Sequence, residues 1–241
     1  YTQSTFTPTS SSVSGTVSYS NKVATFTPSS SLSYSTTYTA TISTRVKDLS
    51  GNAMSSTYTW SFTTGSAPDT TAPSGSISIN SGASYTNSTA VTLTLSATDS
   101  VGVVGYYLST SSSTPVASAS GWNSVTSATS YSGSVSYTLA SGDEAKTVYV
   151  WFKDAAGNVS STASDSITLD TTAPIVTITS PTSSDTYTAA SSTVNLSGSA
   201  SDTTSGVSKV TWSNDKGGSG DASGTTYWSV SSISLSSGEN K

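Results

Sequence analysis

Apolar and polar residues alternate in short runs along the chain. "TVSYSNKVATFTP" from Thr16, "YTATIST" from Tyr38, "VTLTLSATD" from Val91, "TVYVWFKD" from Thr147 and "IVTITSP" from Ile175 all follow this pattern. A period of two is the signature of a half-buried β-strand. The runs are built from Thr, Val, Tyr and Ile, which suit a pleated surface. No stretch shows a convincing helical period, so the spacing predicts an all-β fold. Between residues 74 and 170 it places strands at about 75–80, 90–97, 147–153 and 163–169. The same phase turns Leu93, Leu95, Tyr106, Leu108, Val148, Val150 and Phe152 inward. It leaves Tyr107, Tyr149 and Trp151 on an outer face.

Several segments recur. "DTTAP" stands at 69–73 and again at 170–174. "VKDLSGNAMSS" at 46–56 echoes "FKDAAGNVSS" at 152–161, each closing a strand with K-D-x-x-G-N. "SATDSVGVVGYYLS" at 96–109 echoes "SASDTTSGVSKVTWS" at 199–213. The unit of repetition is about 100 residues, too long for a solenoid and right for a β-sandwich. These echoes divide the chain into a C-terminal part of one domain (1–65), a linker (66–73), a complete sandwich (74–170), a linker (171–174) and an N-terminal part of another domain (175–241). Residue 1 reads as mid-domain, with no leader pattern before it. The two partial units are either pieces of a longer array or are completed by strands of a neighbouring molecule.

"ATFTPSSSLSYSTTYTATISTRVKDLSGNAMSSTYTWSFTTG", within 19–65, resembles the bacterial Ig-like domain of S-layer and other large surface proteins. Residues 74–170 and 175–241, with their D-T-T-A-P linkers, resemble the Ig-like and fibronectin-like repeats of giant bacterial adhesins. The resemblance implies tandem sandwiches in a linear array at the bacterial surface. It implies neighbouring Ig-like domains as partners, and a stalk or filament role giving reach and presentation.

Composition narrows the chemistry. Charged residues make up 9% of the chain, against about 25% in an average domain. Ser and Thr take over the task of keeping the surface wet. The net charge is −5 and the pI near 4.3, which excludes a basic nucleic-acid surface. There is no His and no Cys, so the commonest general base and the thiolate and imidazole metal ligands are missing. No apolar run approaches the ~18 residues of a membrane span. No catalytic constellation is present, and none of the cofactor-binding motifs. The Gly-rich "NDKGGSGDASG" at 214–224 lacks the G-K-[ST] of a phosphate loop and reads as a hairpin tip. Asp143 and Glu144, in "ASGDEAK", read as solvated loop acids. Asn87, Asn158 and Asn195 fit the N-glycosylation pattern, which recurs by chance in so Ser/Thr-rich a chain.

The aspartates are the candidate site. In an Ig-like sandwich the loop carrying Asp99 and the loop carrying Asp154 lie at the pole where the linker with Asp69 arrives. Three carboxylates there suit a hard cation, and Ca²⁺ takes six to eight oxygens in irregular geometry. Lys153 alternates away from Asp154. The same logic pairs Asp170 with Asp202 at the next linker, while Asp48 belongs to a junction before residue 1. The alternative is that each Asp only caps its own turn. Pro73 and Pro174 fix φ and extend the residue before them, so each linker is expected to be short, stiff and acidic. The outer aromatics Tyr107, Tyr149 and Trp151 suggest a second possibility, a strip that stacks on sugar rings. With it comes the alternative function, accessory carbohydrate-binding modules of a secreted enzyme. Surface glycans and self-association are the further partners these readings imply.

Overall fold

The computed structural model describes residues 5–8, 13–21, 23–48 and 50–241. Its described secondary structure is β throughout apart from one 3-10 turn, Asn80–Gly82. The chain forms two compact units, residues 1–69 and 70–241.

The first unit holds strands β1 (Thr5–Pro8), β2 (Gly15–Ser20), β3 (Val23–Pro28), β4 (Thr37–Ile42) and β5 (Tyr58–Thr63). One antiparallel sheet has the order β1-β4-β5, and β2 pairs with β3 as a hairpin. Period two is visible in β4, where Tyr38 and Ala40 are buried and Tyr38 stacks on Phe62 at 5.8 Å. On the other face, hydroxyls meet across the strands, Thr37 to Thr63 at 2.8 Å and Thr39 to Ser61 at 2.9 Å. Such cross-strand hydroxyl pairs are how a sheet this poor in charge satisfies its polar face.

The middle sandwich comprises β6 (Ser74–Ile79), β7 (Tyr85–Thr86), β8 (Ala90–Ser109), β9 (Asn123–Thr138), β10 (Glu144–Asp154) and β11 (Ala163–Leu169). The order is β6-β8-β10-β11-β7, with β9 also paired to β8. Two strands, β8 and β9, are long and bent. The first half of β8 pairs with β6 and the second with β10, while β9 follows it around the bend. The register shifts between Thr98 and Val103 mark the corner. Gly102 sits there at φ 139°, and a Cβ on it would lie 2.5 Å from Ser127 Oγ, so only glycine fits.

Ile79, Leu93, Leu95, Val103, Val148, Val150, Phe152, Ile167 and Leu169 are at most 1% exposed and form the core between the layers. Each such side chain contributes about 1.5–3 kcal/mol by leaving water. Tyr106 and Leu108 are half-buried and pack against this core.

The last domain contains β12 (Ile175–Ser180), β13 (Thr193–Ser201), β14 (Thr211–Ser213), β15 (Ser219–Asp221) and β16 (Tyr227–Ser234). Its sheet runs β12-β13-β16, and β14 pairs with β15 around the Gly-rich segment. Ala200, Val210, Trp228, Val230 and Ile233 form its core.

Candidate metal centre

In β8 the buried positions run Val91, Leu93, Leu95, Ala97 and then Asp99. In β10 the core-facing row runs Val148, Val150, Phe152 and then Asp154. A carboxylate therefore closes the core-facing row at the β8 corner and another at the end of β10, and the two meet at the same pole. Asp99 is 8% exposed and Asp154 2%.

Turn chemistry fixes both side chains. Asp99 Oδ1 accepts the N–H groups of Val101 at 2.9 Å and Gly102 at 2.7 Å, holding the β8 corner. Asp154 Oδ1 accepts the N–H of Asn158 at 2.8 Å, and Oδ2 accepts its side-chain amide at 2.7 Å. That amide also reaches the carbonyl of Thr71 in the incoming linker, at 3.5 Å. Asp48 and Asn52 form the same buckle in the first unit, both bonds being 2.8 Å. K-D-x-x-G-N is thus a turn device wherever it occurs.

Pro73 is buried, and just before it the linker brings in half-buried Asp69. One carboxylate oxygen from each of Asp69, Asp99 and Asp154 lies within 4.8 Å of those from the other two. Asp99 Oδ2 is buried and has no hydrogen-bond partner among the described residues. No described ion pair involves Asp99 or Asp154. The adjacent cation is committed elsewhere: Lys153 Nζ donates to the Ala117 carbonyl at 3.0 Å and lies 4.7 Å from the Trp122 ring centroid. Like charges gathered at a partly shielded pole repel one another.

The second linker is built differently. Asp170 is 8% exposed. Its Oδ1 accepts the Thr172 N–H at 3.1 Å, and its Oδ2 accepts the Ser205 N–H at 3.0 Å. Asp202 Oδ1 accepts the N–H groups of Thr204, Ser205 and Gly206 at 2.9–3.0 Å. Asp170 and Asp202 therefore meet through the shared Ser205 N–H, and among the described residues no third acid joins them within ligand distance.

Two expectations need correction. Asp143 is not simply solvated: it accepts the Thr171 N–H at 2.9 Å, the Thr171 hydroxyl at 2.8 Å and the Thr172 hydroxyl at 2.6 Å. These bonds hold its carboxyl below the usual carboxylate range, the Thr172 hydroxyl most of all. Glu144 pairs with Lys146 at 2.6 Å. The sequence signal for Asp143 was its place just before a strand that starts at the outgoing pole.

The aromatic strip is also not open. Trp151 is 0% exposed, and its Nε1 donates to Thr162 Oγ1 at 3.0 Å. Tyr149 stacks on it at 6.3 Å, and Tyr107 meets it edge-on at 6.3 Å. Trp122, from the segment joining β8 to β9, lies edge-on to Tyr107 at 5.6 Å. That segment folds back over the face, so Tyr107, Tyr149 and Trp151 pack against one another instead of offering a platform for sugars.

Residues 1–64 match the family described as bacterial Ig-like domain, and residues 174–241 the family described as bacterial Ig domain. Both ends of the chain are bacterial Ig-like domains. No curated protein matches it. The solved structure of native alpha-2-macroglobulin from Escherichia coli, spanning domains MG0-NIE-MG1, aligns at 14% identity over 95% of this chain and 78% of that one. The TM-score of that alignment is 0.23. Bacterial Ig-like domains of this kind are non-catalytic structural modules, which agrees with the tandem all-β architecture. Among the described residues, no helix is long and apolar enough to cross a membrane.

Proposed function

We propose that the chain is an extracellular spacer of a bacterial surface protein, an adhesin stalk or filament, and that calcium fastens its first D-T-T-A-P linker. The observations that support the calcium reading are the gathering of one carboxylate oxygen from each of three aspartates within 4.8 Å of one another, and a buried oxygen of that group, Asp99 Oδ2, with no hydrogen-bond partner among the described residues. The donor set is all oxygen, as a hard cation requires, and Ca²⁺–O bonds of about 2.3–2.6 Å let one ion reach oxygens up to about 5 Å apart. Asp69, Asp99 and Asp154 would be the ligands. Asn158 would keep Asp154 turned toward the ion. Bound calcium would replace carboxylate repulsion with attraction and seat the linker on the pole of the middle sandwich.

The spacer role is supported by the all-β architecture and by the bacterial Ig-like matches at both ends of the chain. Antibodies to this segment should label intact source cells as strongly as permeabilised ones. Labelling that appears only after permeabilisation would overturn the surface assignment. Calcium is tested separately, by titrating the whole chain in a calorimeter. Binding at roughly 10⁻⁴–10⁻³ M, the range of extracellular modules, is expected. Absence of any heat would remove the calcium part of the proposal.

A further inference from the structure

The two linkers are identical in sequence, but their surroundings differ. The first brings Asp69 to a pole with two core-facing acids. The second is met from behind by Asp143, from the loop that leads into β10. We infer that Asp143 locks the outgoing linker of the middle sandwich by binding both of its threonine hydroxyls, so that the joint to the last domain is ordered without any cation.

Three observations carry this. Asp143 takes up every donor that Thr171 offers, its N–H and its hydroxyl, and the hydroxyl of Thr172 as well. The remaining donor, the Thr172 N–H, goes to Asp170. Hydrogen bonds to an ionised acceptor are short and about twice as strong as neutral ones. Second, the chain ahead of the lock is already fixed. The Asp170 N–H donates to the Thr86 carbonyl at 2.9 Å, and the Thr168 N–H to the Ser84 carbonyl at 3.0 Å, so β11 is tied along β7 up to the linker. Third, the far side is fastened by the Ser205 N–H, which donates to Asp170 and Asp202 together. Donor N–H groups compensate both of these carboxylates.

This gives both hydroxyls of the second copy a partner. Thr at both positions supplies a matched pair of donors to one carboxylate, and its β-branching limits χ1 so that little rotamer freedom is lost. The device depends on an acid in the preceding domain. Residues 1–68 contain only one acid, Asp48, and it is already buckled to Asn52. The first linker therefore has no second Asp143 available from the described part of the domain before it. The second copy of the pentapeptide is thus held from behind by a carboxylate of the domain before it.

The chain contains no cysteine, so spin labels can be placed at will. Ser134→Cys in β9 and Ser229→Cys in β16 are both exposed, and the distance between labels there reports only the second joint. The full chain should give a single narrow distance peak that chelator leaves unchanged. Asp143→Ala, and separately Thr171→Val with Thr172→Val, should each lose that peak while near-ultraviolet circular dichroism stays native. The threonine pair keeps the test decisive if Asp143→Ala disturbs its own loop. A peak that broadens on chelation, a broad distribution in the unmodified chain, or variants that keep the narrow peak would each overturn the inference. Because the labels do not sense the first linker, a failure here is distinct from a failure to bind calcium there.

Discussion

Asn158 holds Asp154 by two hydrogen bonds, from its backbone N–H to Oδ1 at 2.8 Å and from its side-chain amide to Oδ2 at 2.7 Å. The pair closes the turn after β10 and, in the same act, aims a buried carboxylate at the pole where Asp69 and Asp99 lie. In the first unit Asn52 holds Asp48 in the same way, but that carboxylate is exposed. One motif therefore serves as a plain turn in one domain and as a turn that presents a ligand in another.

Replacing Asn52 and Asn158 by Ala should separate these roles. Loss of the exposed buckle should cost about 0.5–1.5 kcal/mol, the ordinary worth of a hydrogen bond. Asn158→Ala should cost more, about 1–3 kcal/mol, because it strips partners from a buried acceptor. Urea unfolding followed by tryptophan fluorescence measures both. Only the second change should also weaken calcium binding.

Trp151→Ala should destabilise the middle sandwich by about 3–5 kcal/mol, the cost of deleting a buried Trp. The side chain is 0% exposed and its Nε1 is hydrogen-bonded to Thr162. A glycan array should show no response in the parent chain that this change removes. Sugar binding lost in a variant of unchanged stability would restore the aromatic strip as a ligand site.

Acid should release the second linker. Asp143 is held below the usual carboxylate range, first by the Thr172 hydroxyl and then by Thr171. Asp202 is lowered as well, first by the Ser205 N–H. A depressed folded pKa means that the stabilisation is fully present above the unfolded value, about 4. It is lost as pH falls through the folded value. The label distance across this joint should stay narrow down to about pH 4 and broaden below it. Asp143→Ala, whose distribution is expected to be broad already at neutral pH, should show no such transition.

Much of this was legible in the chain. Period-two alternation placed Val148, Val150 and Phe152 in the core, and the strand directions it implied brought the segments carrying Asp99 and Asp154 to one pole. Alternation also put Trp151 opposite Phe152 correctly, but it carries no information about what covers that opposite face. The cover comes from Trp122 and its segment, distant in sequence. Asp143 was missed for a related reason. Its partners, Thr171 and Thr172, are local to the linker, and only the shared pole of β10 and β11 brings them together. The bend that joins the two halves of β8 was hidden too, because "DSVG" reads as a loop between separate strands whereas the pairing continues through it.

The most direct test of the account is the thermal stability and calcium isotherm of the full chain beside those of Asp99→Asn. Asparagine keeps an oxygen to cap Val101 and Gly102, but it removes the charge that faces Asp69 and Asp154. The parent chain should bind one calcium, with stability raised by about 1.4 kcal/mol at tenfold the Kd. Asp99→Asn should remove both effects while the sandwich stays folded. Equal melting temperatures with calcium and with chelator in the parent chain, together with a flat isotherm, would contradict it and leave Asp69, Asp99 and Asp154 as turn and linker acids alone.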